Sequence, residues 1–368
     1  MFHRFVSASM ILCLSALWLP RSAMADVIVV TPNDSLTDAV QGAQTGDVVQ
    51  LEAGDYYLPQ GESLVTTGKE ILIRGTRGED GAWLSRIHSH DASAIVHSGT
   101  AAELELEDLA FTGVVDDVSG TDTPVALYVY RGRVFVRDCL FDECLAPTQD
   151  GAAVQNIGVN TSELTLFYDC TFRDCVGLYA GGIYQWKTST MFGDTRWPVE
   201  NCLFERNRAE HPDGGGAIYT SRYGARVIDS VFSENEVETG AGLAGISVAS
   251  SVYSTEFSGT HFCSSFSATD LSGHTTGGAI DGGGLCFTTD CSDIDQDGIP
   301  DGCDDHLCTS DLNGDGLVDG SDLAALLDAW GPCVDDDCQA DLDGNGLVDA
   351  RDLTYVLAEW GLCDEGTP

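Results

Sequence analysis

Phenylalanine recurs at Phe111, Phe141, Phe172, Phe204, Phe232 and Phe262, at intervals of 30, 31, 32, 28 and 30 residues. It sits in related phrases, "LEDLAFTG", "VRDCLFDEC", "FYDCTFRDC", "VENCLFERN", "VIDSVFSEN" and "GTHFCSS". Between them fall small-residue turns followed by apolar residues, "GAAV" at 151, "GGI" at 181, "GGAI" at 215, "AGI" at 244 and "GGAI" at 277. This leaves short strands separated by glycine turns, with no room for a ten-residue helix. A period near 30 marks one structural unit per coil, and stacked parallel units bury each inward face against the next. An antiparallel sandwich does not predict such a period.

Several columns follow from the repeat. Asp138, Asp169, Asn201 and Asp229 each stand three residues before their phenylalanine. They are read as turn residues that satisfy backbone amides, rather than as an acidic active strip. Cys139, Cys170 and Cys202 share the next column, and Cys144 and Cys175 share another. Strands about 4.8 Å apart allow either disulfides between coils or stacked buried thiols. Zinc is not expected, because no CxxC spacing or nearby histidine pair accompanies them.

The repeat, with the N-terminal "SLTDAVQGAQTGDVVQLEAGDYY" and its "C-x-F" and "G-G-A-I" phrases, resembles the right-handed parallel β-helix of the pectate-lyase-like superfamily over Val27 to Phe287. Leu36, Ala39, Val40 and Ala43 keep the spacing of a short helix that would plug the open end. The resemblance implies extracellular polysaccharide as ligand and a polysaccharide lyase or glycoside hydrolase as the enzyme class. The paired-aspartate and Gly-His-Gly motifs of polygalacturonase-type hydrolases are not matched; "SGHTTGG" around His274 comes nearest, and Asp116-Asp117 reads as a solvated loop. One strip carries binding chemistry. Aligned on Ile183 and Ile218, Tyr184 stacks on Tyr219 and Lys187 on Arg222, with Trp186 alongside. Aromatic faces hold sugar rings, and the two bases suit an acidic glycan. The competing reading pairs those bases with Asp194, Glu205 or Asp213.

The chain carries 59 acidic residues against 17 Lys and Arg, a formal charge of −42, so nucleic acid and anionic membrane surfaces are excluded as partners. Residues 290 to 368 hold 22 acids and one base, Arg351, which marks a boundary. Within them "DLNGDGLVDGSDLAALLDAWGPC" from Asp311 aligns without a gap to "DLDGNGLVDARDLTYVLAEWGLC" from Asp341. Alternating oxygen donors around a glycine suit Ca²⁺. The first loop offers Asp311, Asn313, Asp315, the Leu317 carbonyl, Asp319 and Asp322. The second offers Asp341, Asp343, Asn345, the Leu347 carbonyl, Asp349 and Asp352. After each loop, Leu323, Leu326, Leu327 and Trp330, and Leu353, Val356, Leu357 and Trp360, form helical stripes expected to pack on each other.

This duplicated loop and helix resembles type I dockerin domains, which implies a cohesin-like or cell-surface protein partner. Upstream, "DIDQDGIPDGCDD" places Asp293, Asp295, Asp297, the Ile299 carbonyl, Asp301 and Asp304 on the same ladder and is similar to thrombospondin type 3 calcium repeats. Cys308 to Cys333 and Cys338 to Cys363 share a separation of 25 residues, which predicts a disulfide within each repeat.

At the other end, His3 and Arg4, an apolar run from Phe5 to Leu19 and Ala23-Met24-Ala25 read as a signal peptide. No second apolar stretch is long enough to insert in a membrane. The expected order is a signal peptide (1–25), a β-helix (26–289), an acidic calcium-binding linker (290–307), a dockerin-like domain (308–363) and a tail (364–368). The fold class is all-β parallel β-helix with a small α-helical, EF-hand-like calcium domain. The expected function is binding or degradation of extracellular polysaccharide, with a non-catalytic surface scaffold as the alternative.

Overall fold

The computed structural model describes residues 25–78, 81–99, 103–114, 125–158, 165–187, 197–220, 224–237, 246–248, 255–263, 275–276, 279–281, 285–288, 303, 310–313, 317–333, 338–342, 346–358 and 360–362. The expected leader and the acidic linker ladder therefore lie outside the described residues. No helix among the described residues is long and apolar enough to cross a membrane.

Among the described residues the coils lay their strands in three parallel sheets of ten, nine and eight strands, and the middle coils add a fourth sheet of four. Sheet neighbours are one coil apart, so Leu140–Asp142 pairs in register with Thr171–Arg173, and that strand with Leu203–Glu205. Phe111, Phe141, Phe172, Phe204, Phe232, Phe262 and Phe287 form one interior file with centroids 4.7 to 5.3 Å apart and planes within 15°. Apolar burial and ring stacking act together along it. Tyr56 and Ile87 extend the file in the opening coils by the same register.

The column three before each phenylalanine turns the chain. Asp108, Asp138, Asp169, Asn201 and Asp229 have φ between 45° and 57°, and Gly259 follows at 54°. Asp and Asn tolerate this left-handed conformation because a short polar side chain can bond locally. A second turn lies two residues after the phenylalanine, at Gly113, Glu143, Asp174, Arg206 and Glu234, all with positive φ.

Each directly after a turn residue, Cys139, Cys144, Cys170, Cys175 and Cys202 are free and buried, so the columns are stacked thiols rather than disulfides. Cys170 Sγ donates to the Tyr168 carbonyl at 3.2 Å, and Cys175 Sγ to the Arg173 carbonyl at 3.2 Å. Burial pushes the Cys139 and Cys202 thiols up; at Cys144 the bond to Cys175 does so first, then burial. In later coils the Cys144 column becomes Asn207 and Asn235. Their amides donate to the Phe172 and Phe204 carbonyls, each at 2.8 Å, and Asn235 Oδ1 accepts from Asn207 Nδ2 at 2.9 Å.

The helix Leu36–Gly42 is capped by Ser35, whose hydroxyl accepts from Asp38 N. Its Leu36 and Val40 join the core at the N-terminal end. Lys69 Nζ donates to the Val40 and Gln41 carbonyls at its other end, at 3.0 and 2.5 Å.

In the acidic region, helices Gly320–Asp328 and Ala350–Ala358 each follow a two-residue strand. The strands pair across the repeats: Leu317–Val318 with Gly361–Leu362, and Gly331–Pro332 with Leu347–Val348. Val318, Leu326, Ala340, Val348 and Val356 make a shared core. Two expectations need correction here. The helical stripes meet through Leu326 and Val356, with Leu323 and Leu353 packed against that core, but Leu327, Trp330, Leu357 and Trp360 stay exposed. The expected disulfides within each repeat are replaced by Cys333–Cys338, with Cα atoms 5.8 Å apart. The crossed strand pairing places Cys333 beside the second loop, and that bond uses one cysteine of each expected pair. A further disulfide, Cys286–Cys303, ties the last strand of the nine-stranded sheet to the following segment.

Candidate functional site: an aromatic cluster on the eight-stranded sheet

Parallel pairing aligns Gln155, Tyr184, Tyr219 and Ser247 along the eight-stranded sheet. Tyr184 and Tyr219 stack at 5.2 Å with 9° between planes, and Trp186 lies 6.4 Å from Tyr184, also at 9°. Trp186 is 38% exposed, whereas the two tyrosines are almost fully covered. Lys187 ends the strand Ile183–Lys187, and Arg222 lies outside the described residues. The structure thus brings Tyr184, Trp186 and Tyr219 together and does not place the basic pair. Of the competing acidic partners, Glu205 is engaged by Arg206.

The cover comes from turns that sequence reasoning did not single out. Tyr179 sits 5.1 Å from Tyr219 and 6.2 Å from Tyr184, and His211 packs on Tyr179 at 4.4 Å. His211 N donates to the Leu178 carbonyl, which joins the two turns. Gly151 lets the preceding coil approach Tyr184 closely, since a Cβ there would stand 2.6 Å from Tyr184 Cβ and 2.5 Å from the Val154 carbonyl oxygen. Asp150, which precedes it, hydrogen-bonds Tyr184, yet burial outweighs that bond and raises its carboxyl. Burial raises both phenols, with the Asp150 charge adding to the effect. A signal was available: counted back from Val154 and Ile183, Asp150 and Tyr179 occupy one repeat column. The cluster can present the exposed face of Trp186 and, against Tyr184, a carboxyl that burial holds above the ordinary Asp range.

The two acidic loops offer oxygen donors only. Asp322 and Asp352 are fully buried. Asp322 accepts from Asp319 N at 2.8 Å and Asn313 N at 3.3 Å, and Asp352 from Asp349 N at 2.7 Å. Asp341 Oδ2 accepts from Gly346 N at 2.6 Å. Asp319 caps its helix through Ser321 N, at 2.7 Å. These carboxylates turn into their own loops, and carboxylate oxygen is the donor type a hard cation takes. Asp315, Asp343 and Asn345 lie outside the described residues, as do Asp293, Asp295, Asp297, Ile299, Asp301 and Asp304. Among the described residues no group of three metal-binding side chains converges. Leu317 and Leu347 each open a two-residue strand, and Asp311 lies in the described segment 310–313.

Fold and columns together define a parallel β-solenoid with an acidic, two-helix appendage. No family model matches the sequence, and no curated protein matches it. Among solved structures it is similar to a mutant of the PL6 family alginate lyase AlyGC, with 13% sequence identity and a TM-score of 0.41, over 70% of this chain and 40% of that one. The chain therefore spans less than half the length of that enzyme.

Proposed function

We propose that this protein binds an extracellular polysaccharide along the eight-stranded sheet, at Tyr184, Trp186, Lys187, Tyr219 and Arg222. The observation that carries the reading is the parallel alignment of three rings, of which Trp186 offers its indole to solvent. A sugar ring stacked on an exposed indole contributes about 1 kcal/mol, or roughly fivefold in Kd. Titration calorimetry of the full chain against uronate and neutral glycans tests it. Trp186→Ala should weaken the best binder by about that factor; an unchanged isotherm, or no glycan bound at all, would remove the reading.

Degradation as well as binding is supported by Asp150. Burial raises its carboxyl above the ordinary Asp range, the direction a proton donor to a glycosidic oxygen requires. Release of unsaturated or reducing ends would mark a lyase or a hydrolase, and retained binding without product would mark a scaffold.

The acidic region folds, in this reading, around Ca²⁺ and serves as a docking or attachment module for a cohesin-like or cell-surface protein. Support comes from the oxygen-only donor set, the buried Asp322 and Asp352, and the solvent-facing Trp330 and Trp360. Bound calcium would neutralise carboxylates that otherwise repel.

A further inference from the structure

A second constellation lies on the outer face of the nine-stranded sheet, across its first three strands: Gly54–Tyr57, Ser85–His88 and Ala110–Thr112. The register sets Tyr57 beside His88, and Ile87 beside Phe111, which brings Thr112 level with His88. His88 Nε2 is 2.9 Å from Asp55 Oδ1, and Thr112 Oγ1 is 3.3 Å from His88 Nδ1. One tautomer satisfies both contacts: Nε2–H donates to the carboxylate, and the Nδ1 lone pair accepts from the threonine hydroxyl. Arg86 stands 3.7 Å from the same Asp55 oxygen. The His88 bond, foremost, holds the Asp55 carboxyl below its ordinary value, so it is ionised at neutral pH.

Later coils fill these positions differently. Where the file continues from His88 and Thr112, Asp142 and Arg173 form a two-pronged ion pair at 2.9 and 3.0 Å. At the second turn, later coils carry Glu143, Asp174, Arg206 and Glu234, but this coil carries Gly113. A Cβ at 113 would stand 3.7 Å from His88 Nδ1, so the glycine leaves the Nδ1 edge uncovered beside the hydroxyl. Tyr57, 74% exposed, stacks on the imidazole at 4.5 Å and offers an apolar face next to it.

We propose that Thr112, His88 and Asp55 form a nucleophilic acyl-transfer site that cleaves small carboxylic esters, of the kind an O-acylated sugar presents. Thr112 Oγ1 attacks the ester carbonyl carbon and passes its proton to His88 Nδ1. The ester C–O bond breaks, and the leaving alcohol takes that proton from Nδ1. Water then attacks the acyl-threonine, with His88 again as base, releasing the carboxylic acid and restoring the hydroxyl. Ester and water thus become acid and alcohol, with no other reagent. Asp55 is a positioning residue that fixes the tautomer and steadies the imidazolium through Nε2–H. This site lies on a different sheet from the aromatic cluster and stands whether or not that cluster binds glycan.

The test is p-nitrophenyl acetate with the full chain, read by p-nitrophenolate release and by peptide mapping of the acylated protein. The expected result is an acetyl group on Thr112, lost in Thr112→Val and retained in Thr112→Ser. His88→Ala should slow acylation by about 10²- to 10⁴-fold. Should His88→Ala fail to fold, Asp55→Asn decides: a slower acylation with a shifted pH profile is expected. No acylation, acylation at another residue, or a full rate in Thr112→Val or Asp55→Asn would overturn the proposal.

Discussion

Replacing Phe172 by alanine probes the physical basis of the solenoid directly. The ring is fully buried, between Phe141 at 4.8 Å and Phe204 at 4.7 Å, with Phe167 edge-on at 5.6 Å. Truncating a core phenylalanine costs about 3–5 kcal/mol, the spread reflecting how far the surroundings collapse. Collapse is restricted here, because the backbones above and below are held one strand spacing apart by ladder hydrogen bonds. Two stacked faces are also lost, each worth about 0.5–1.5 kcal/mol beyond burial. The expected cost is therefore near the upper end, about 4–5 kcal/mol. Phe287, at the end of the file, stacks on Phe262 at 5.3 Å and is only partly buried, so Phe287→Ala should cost about 1–2 kcal/mol. Urea unfolding followed by circular dichroism measures both, with the m-value checked for constancy so that midpoints report stability. A cost for Phe172→Ala below about 2 kcal/mol, or no larger than that for Phe287→Ala, would refute the stacked-file account.

Three further outcomes follow from the same geometry. Asp150 has a folded value raised above its unfolded one, so its contribution is fully present below the ordinary Asp range and is lost as pH rises through the folded value. Asp150→Asn, which keeps an acceptor for Tyr184, should then raise Tm at neutral pH, with the difference vanishing in acid; a gain that persists in acid would contradict the cause. Cys139, Cys144, Cys170, Cys175 and Cys202 should resist a thiol reagent in the native protein and react together on unfolding, and prompt native labelling of any of them would place it elsewhere than the core. Calcium chelation should increase hydrogen exchange in peptides from Leu317 to Ala358 while leaving the Phe file protected; unaltered exchange in the acidic region would count against calcium-dependent folding.

The solenoid is legible in the sequence because its controlling contact is local to the repeat. A phenylalanine every 30 residues meets its copy at one strand spacing, so periodicity in the chain becomes contact in space. The turn columns are legible for the same reason, since Asp169 and Asn201 recur with the phenylalanine they precede. Other features answer to what meets across the repeat. Tyr184 and Tyr219 align by register, but their cover comes from turns at Tyr179 and His211, whose lengths the period does not fix. Asp55, His88 and Thr112 are separated by 33 and 24 residues, in coils where Tyr56 and Ile87 hold the file before its first phenylalanine, Phe111. In the acidic region, equal cysteine spacing suggested bonds within repeats, but strands crossing between repeats brought Cys333 to Cys338. The helical stripe was visible; that Leu326 and Val356 are its buried members while Trp330 and Trp360 face solvent was not.

The shared register makes the coil a unit of length. Thr112 and Phe172 lie two steps apart in the nine-stranded sheet, about 10 Å of axial rise. The ester-cleaving constellation and the aromatic strip are thus held at a separation counted in whole coils. Duplicating the segment from Asp138 to Tyr168 would insert one more step and shift the two patches by about 4.8 Å, with each patch otherwise intact. A molecule gripping both at once would measure that displacement, so the solenoid works as a ruler whose graduations are written in phenylalanine.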